Sequence, residues 1–181
     1  MAYIRKVRGY TPSIGKNTFV AETAVIVGNV TIGENCSIWF NSVLRGDVNK
    51  IVIGDRTNIQ DGVVLHTIFD GAPNPSQTII GNDVSIGHNA TIHGARIGNS
   101  VLIGMGATVL DNAIVPDGCI IAANALVLSN AQLEPNSLYA GVPAKRIREV
   151  TPEQRQHIID RTARDYQHYA SWFVAEEQAE E

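Results

Sequence analysis

The hydrophobic positions of this chain repeat with a period of six residues. Large apolar anchors keep this spacing, with interruptions, from residue 14 to residue 139. A small residue stands four positions after most anchors, as Ala24 and Ala90 do. The anchors are Ile14, Val20, Ile26, Ile32, Ile38, Leu44, Ile53, Ile59, Leu65, Ile80, Ile86, Ile92, Ile97, Ile103, Val109, Val115, Ile121, Val127, Leu133 and Tyr139. This internal repeat predicts a chain of stacked units that bury one continuous core.

The repeating unit, with one large and one small inward position, resembles the hexapeptide-repeat proteins. The resemblance implies a left-handed parallel β-helix, in which three hexapeptides form one triangular coil of roughly 18 residues. The handedness follows from the resemblance alone, since crossovers between parallel strands are usually right-handed. We expect an N-terminal lead-in over residues 1–13 and the β-helix over residues 14–148.

A change of period marks the end of the repeat and predicts a helix. Thr151, Pro152 and Gln154 form the pattern of a capping box with proline at the first helical position. Apolar residues then recur at steps of four and three, which gives one apolar stripe. These residues are Ile159, Ala163, Tyr166, Ala170 and Phe173. We expect a helix within residues 149–175 that packs along the outside of the β-helix, followed by a tail over residues 176–181.

Composition and charge limit the classes of molecule that the protein is expected to bind. The net charge of −4 argues against nucleic acid, because no basic stripe neutralises phosphates. No apolar stretch is long enough to cross a membrane, and the first residues lack the apolar run of a signal peptide. Cys36 and Cys119 occupy the small position of the repeat, several coils apart, so we expect both to be buried and unpaired. These features predict a cytoplasmic protein that binds neither nucleic acid nor membrane.

Two of the five histidines fall at the same position of their hexapeptides. His66 directly follows the anchor Leu65, and His93 directly follows the anchor Ile92. Their separation of 27 residues equals one coil plus nine residues, and nine is the excess length of the segment after His66 that carries Gly, Pro and Asn. With that loop excluded, the two side chains stack on one face at about 4.8 Å. Two imidazoles at this spacing can share one metal ion.

His88 follows its anchor by two residues and is predicted to lie near a corner of the triangle. Its side chain should therefore point away from the pair formed by His66 and His93. Threefold packing can bring the corner of one subunit against the face of another. We expect a third ligand for the metal to come from a neighbouring subunit.

The stretches "IGHNATIHG" and "LRGDVNKIVIGDRTNIQDGVVLH" make the resemblance more specific. With them the chain resembles the gamma-class carbonic anhydrases, which are trimeric hexapeptide β-helices with a three-histidine zinc or iron site between subunits. The resemblance implies metal ligands, a glutamine beside the metal-bound water and a group of intersubunit ion pairs. The metal ligands are His66, His88 and His93, and the glutamine is Gln60. The ion-pair residues are Arg45, Asp47 and Asp61.

The function that the resemblance implies is hydration of carbon dioxide to bicarbonate. A metal-bound hydroxide at the three-histidine site of a homotrimer would be the nucleophile of this lyase. Zinc is the expected metal, with iron(II) or cobalt as alternatives. The resemblance also suggests that Tyr166 walls the pocket from the helix and takes part in the catalytic site.

Two observations keep other functions open. The family archetype has acidic proton-transfer residues after the first ligand and after the Arg/Asp motif, whereas here only Asp70 lies nearby, which predicts slow turnover. The segment "AGVPAKRI" also resembles the closing segment of hexapeptide acyltransferases. The alternatives are therefore an acyltransferase or thioesterase, or a non-catalytic metal-binding scaffold within a larger assembly.

Overall fold

The computed structural model describes residues 1–180 and consists of short strands that stack in parallel, followed by one long helix. Most strands have only two or three residues, because each hexapeptide supplies one short extended segment before the next turn. The strands are β1 (Tyr3–Arg5), β2 (Ser13–Ile14), β3 (Phe19–Val20), β4 (Val25–Ile32), β5 (Ser37–Ile38), β6 (Val43–Ile53), β7 (Asn58–Ile59), β8 (Val64–His66), β9 (Thr78–Ile80), β10 (Ser85–Ile86), β11 (Thr91–His93), β12 (Arg96–Ile97), β13 (Leu102–Ile103), β14 (Thr108–Val109), β15 (Ile114–Val115), β16 (Ile120–Ile121), β17 (Leu126–Val127), β18 (Ser137–Ala140) and β19 (Lys145–Glu149).

The pairing of the strands reproduces the coil of three hexapeptides. Each strand pairs in parallel with the strands one coil before and after it, so β10 lies between β7 and β13. Strand β6 is long enough to serve two faces, and it pairs with β8 near its start and with β9 near its end. At the C-terminal end, β19 pairs with β18 in the antiparallel direction. The predicted fold class, a left-handed parallel β-helix with a C-terminal helix, is confirmed.

The core consists of the anchors and the small residues that the period of six identified. Ile59, Ile86 and Ile103 are aligned in register on successive coils, and all three are fully buried. Cys36 and Cys119 are buried and unpaired, as expected for small residues inside the coils. Burial raises the pKa of both thiols above the ordinary value, because the charged thiolate loses its hydration in the core.

Many corners of the triangle are formed by residues with left-handed backbone geometry. Asn89 and Asn112, for example, have φ angles of 57° and 59°. Asparagine tolerates this region better than most residues, because its short side chain can hydrogen-bond locally. The corners therefore turn sharply without a glycine at every position.

The C-terminal helix begins at the predicted capping box. The Thr151 side chain accepts a hydrogen bond from the Gln154 backbone, and the Gln154 side chain accepts one from Thr151. The first turn, Pro152–Gln154, leads into a π-helical stretch, Arg155–Asp160, and then into the α-helix Arg161–Glu180.

The predicted apolar stripe meets the outer surface of the β-helix at two places. Ile159 packs with Ile120 and Val150, while Ala170 and Tyr166 pack near Trp39. The helix continues through residues 176–180, beyond its predicted end at residue 175, and residue 181 of the predicted tail lies outside the described residues. The lead-in also contributes strand β1, which pairs with β4.

Candidate metal centre

Strands β8 and β11 place His66 and His93 side by side on successive coils. The two residues are direct partners in the parallel register, as the count around the loop predicted. The Nδ1 atom of His66 lies 3.1 Å from the Nε2 atom of His93. The loop between β8 and β9 closes against both strands, because Thr78 Oγ1 donates a hydrogen bond to the carbonyl of His66 and accepts one from the amide of Gly94.

Asp47 fixes the orientation of the His66 ring. The Nε2 atom of His66 lies 3.2 Å from Oδ1 of Asp47, whose other oxygen accepts a hydrogen bond from Arg45 at 2.7 Å. Burial raises the pKa of Asp47, but the hydrogen bonds from Arg45 and His66 outweigh this effect and hold the pKa below its ordinary value. An ionised carboxylate only accepts hydrogen bonds, so Nε2 of His66 carries the proton and Nδ1 is left with a lone pair.

The His66 ring is held neutral by its surroundings. Burial lowers the pKa of His66, and the hydrogen bond to Asp47 offsets this effect only in part. A neutral imidazole is the form that binds metal ions.

Asp111 fixes the orientation of the His93 ring in the same way, and this residue was not predicted from the sequence. The Nδ1 atom of His93 lies 2.5 Å from Oδ1 of Asp111, so the proton of this ring is on Nδ1 and the lone pair is on Nε2. The available signal was the spacing, because Asp111 follows His93 by 18 residues, which is one coil.

His88 lies apart from the other two histidines. Its Nδ1 atom is 2.9 Å from Oδ2 of Asp61, and its Nε2 atom is 3.1 Å from the hydroxyl of Tyr166 on the C-terminal helix. Burial, followed by the charge of Asp61, raises the pKa of Tyr166 to about 12, so the phenol stays protonated at neutral pH and donates to Nε2. Like the other two rings, His88 therefore has one nitrogen within hydrogen-bond distance of an aspartate.

Gln60 is buried beside His88. Its Oε1 atom accepts a hydrogen bond from the backbone N–H of His88 at 3.2 Å, and its Nε2 atom donates to Oδ1 of Asn58 at 3.0 Å. Both ends of the amide are thus used within the subunit, and Gln60 supports the turn that carries His88. One N–H of this amide has a partner in Asn58, which leaves its second N–H for another acceptor.

Asp70 is held by the N-terminal segment. Its carboxylate lies 3.3 Å from the guanidinium of Arg8, which also stacks on the Phe69 ring at 5.4 Å from the centroid. The same arginine donates to the backbone carbonyls of Asp47 and Val48. Asp70 is therefore an ion-pair partner of Arg8.

The facing nitrogens of His66 and His93 suit a metal ion. Because the other nitrogen of each ring faces an aspartate, the two nitrogens that face each other at 3.1 Å are placed to bind one cation. In a tetrahedral zinc site the nitrogens of two ligands are about 3.3 Å apart, given Zn–N bonds of 2.0–2.1 Å. Within residues 1–176 of one subunit, no group of three or more His, Cys, Asp or Glu side chains converges on a common point. His66 and His93 thus form a pair, and His88 does not join it within the subunit.

Comparison with known proteins agrees with the repeat. The family model described as "Bacterial transferase hexapeptide (six repeats)" matches residues 11–46 and 94–129. A solved structure of a hexapeptide transferase family protein from Anaplasma phagocytophilum superimposes with a TM-score of 0.88 and 37% sequence identity. This superposition covers 94% of the present chain and 98% of the other.

Curated relatives are similar over most of the chain. "Probable carbonic anhydrase" of Methanocaldococcus jannaschii is 52% identical over 83% of this chain and 92% of its own length. "Gamma carbonic anhydrase 2, mitochondrial" of Arabidopsis thaliana is 39% identical over 92% of this chain. The present chain spans 60% of the length of that plant protein. Among the described residues, no helix is both long and apolar enough to cross a membrane.

Proposed function

The chain belongs to the gamma carbonic anhydrase family, and we propose that it hydrates carbon dioxide to bicarbonate at a site shared between the subunits of a homotrimer. His66 and His93 of one subunit and His88 of a neighbour hold the metal in this proposal. The observation that carries it is the 3.1 Å approach of Nδ1 of His66 to Nε2 of His93, while the other nitrogen of each ring faces an aspartate. Two of the relatives are named as carbonic anhydrases, which supports carbon dioxide hydration as the reaction.

Zinc is the metal we propose, with iron(II) or cobalt as alternatives, because three neutral imidazoles suit all three ions. When bound with one open position, the metal supplies a hydroxide nucleophile at neutral pH, since it lowers the pKa of water to about 7. The chain's own part is to orient the rings. Asp47, Asp61 and Asp111 each accept a hydrogen bond from the ring N–H on the side away from the ligating nitrogen.

Gln60 and Tyr166 are the polar groups that we assign to the reaction beside the third histidine. The second N–H of the Gln60 amide can donate to an oxygen of carbon dioxide or bicarbonate held beside His88. In the subunit alone, the Tyr166 hydroxyl donates a hydrogen bond to Nε2 of His88. With that nitrogen bound to a metal, the phenol would be free to donate to a substrate oxygen, and its high pKa would keep it a donor throughout the neutral range.

Arg45, Asp47 and Asp61 form the ion-pair group of the subunit interface in this proposal. Arg45 donates a hydrogen bond to Asp47 within the subunit, yet about half of the Arg45 side chain remains exposed. The Asp61 side chain is also partly exposed. A guanidinium can pair with two carboxylates at once, so Arg45 can also reach Asp61 of a neighbour. Such a contact would bring the His88 corner of one subunit to the paired histidines of the next.

The test is elemental analysis of protein purified without oxygen, together with a stopped-flow carbon dioxide hydration assay on the same sample. The proposal requires about one divalent ion per chain and measurable hydration. A metal-free protein that is inactive after loading with zinc or iron(II) would contradict it, and acyl transfer from an acyl thioester would then support the acyltransferase alternative. Full metal without hydration would favour the thioesterase or the non-catalytic scaffold.

The site of action in this proposal is the cytoplasm. Cys36 and Cys119 are both unpaired, which suits a reducing compartment.

A further inference from the structure

Asp111 joins His93 to the loop between β8 and β9. Its Oδ1 atom is 2.5 Å from Nδ1 of His93 and 3.4 Å from the hydroxyl of Ser76, which lies near the end of that loop. Asp111 itself directly precedes the corner residue Asn112, so its backbone is held by the β-helix and not by the loop. The carboxylate is about three-quarters buried.

Little free space surrounds the Asp111 carboxylate. Gly94 follows His93 with a φ of 57°, and a Cβ atom at this position would lie 1.9 Å from Oγ of Ser76 and 2.5 Å from Oδ1 of Asp111. The absence of a side chain at residue 94 therefore lets Ser76 and Asp111 approach the ring of His93. A larger residue would force both side chains away.

We propose that Asp111 is a positioning residue that sets the protonation and orientation of His93 for metal binding, with Ser76 holding the carboxylate in place. The proposal rests on the metal site proposed above and adds a residue to it. Because an ionised carboxylate only accepts hydrogen bonds, Asp111 keeps the proton on Nδ1 and directs the Nε2 lone pair towards His66. Without it, the ring is free to rotate or to take the other tautomer, and neither alternative presents Nε2 to the ion.

The chain offers a matched control in Asp117. Asp111 and Asp117 both stand two residues after an anchor of the repeat, in consecutive hexapeptides. Asp117, however, accepts a hydrogen bond from the backbone N–H of Asn99 and contacts no histidine. Asn82 and Asn99 occupy the equivalent position elsewhere and accept backbone hydrogen bonds there, so an asparagine at 111 is expected to fold.

The experiment measures zinc affinity by competition with a chromogenic chelator for wild type, Asp111→Ala, Asp111→Asn and Asp117→Ala. Removing a residue that orients a ligand typically costs about 10- to 100-fold in metal affinity, so we expect a loss of that size for Asp111→Ala. The zinc affinity of Asp111→Asn should lie between those of wild type and Asp111→Ala, because the amide oxygen is a weaker, neutral hydrogen-bond acceptor. Asp117→Ala should retain wild-type affinity.

A second readout follows the ring itself. Long-range ¹H–¹⁵N spectra of the metal-free protein should show His93 protonated on Nδ1 in wild type and a mixture of tautomers in Asp111→Ala. Wild-type zinc affinity and an unchanged tautomer in Asp111→Ala would overturn the inference while leaving the metal site intact. If wild type itself binds no zinc, the metal site fails, and an unchanged His93 tautomer in Asp111→Ala would then overturn the positioning role as well.

Discussion

His88 and His93 are five residues apart in the sequence, yet their side chains have no partner in common. The His93 ring contacts His66 and Asp111, whereas the His88 ring contacts Asp61 and Tyr166. The cause is the triangular coil, because a corner lies between the two residues and turns the chain onto another face. This separation is the reason that the proposed metal site takes its histidines from two subunits.

Replacing any one of His66, His88 and His93 by alanine is expected to remove the metal and leave the β-helix folded. Their side chains are only partly buried and lie outside the apolar core. Each variant should retain less than about a tenth of the wild-type metal, because two imidazoles do not complete a zinc site. Elemental analysis and circular dichroism would check this. His168→Ala, on the outer helix, is the control, and full metal in all three variants would refute the assignment.

Gln60→Ala is expected to destabilise the subunit as well as to slow the reaction. The variant leaves the His88 N–H and the Oδ1 atom of Asn58 without their Gln60 partners in a buried region. An unsatisfied buried group costs about 1–3 kcal/mol, so the free energy of unfolding in urea should fall by that order. Gln60→Glu keeps the acceptor for His88 and should be the milder change. Equal stability of wild type and Gln60→Ala would show that the observed hydrogen bonds contribute little.

Carbon dioxide hydration is expected to depend on the concentration of the buffer. Asp70, the acidic residue that the sequence places near the site, is paired with Arg8 at 3.3 Å. Protons should then leave through the buffer, so the turnover number should rise with imidazole concentration and reach a plateau. Asp70→Asn should behave like wild type in this assay. A turnover number that is high and independent of buffer would reveal a proton route within the protein.

The period of six was sufficient to predict the lattice of the β-helix but not the contacts that the outer helix makes with it. Counting coils correctly paired His66 with His93 around the loop, because residues in parallel register must repeat at fixed spacing. The same count would have found Asp111. It could not predict the contact of Tyr166 with His88, since the helix packs on the outer surface and follows no repeat. The π-helical stretch at Arg155–Asp160 also carries no pattern of its own in the sequence.

The stability of the subunit is expected to fall at high pH because of its two cysteines. The pKa of each thiol is raised in the folded state by burial, so the folded state keeps its protons where the unfolded state loses them. The stabilisation is therefore complete below the ordinary thiol pKa, about 8.5, and is lost as the pH rises above it. Urea unfolding from pH 7 to pH 10 would measure this. In the double variant Cys36→Ala and Cys119→Ala the decline should be weaker, and an identical decline would assign it to other groups.

The last prediction concerns complementation between defective subunits. A trimer made only of His66→Ala chains has no complete site in our proposal, and neither has a trimer made only of His88→Ala chains. In a mixed trimer, one interface joins a His88→Ala chain, which offers His66 and His93, to a His66→Ala chain, which offers His88.

Threefold symmetry makes this the single complete interface of three, whichever mutant contributes two of the chains. Doubly tagged trimers from co-expression should therefore regain about one third of the wild-type metal and hydration rate, while each mutant alone has neither. Wild-type chains carrying the same two tags, purified identically, are the control. If the mixed trimers bind no metal while the control does, the three histidines do not combine across a subunit interface, and the placement of His88 in the neighbouring site is wrong.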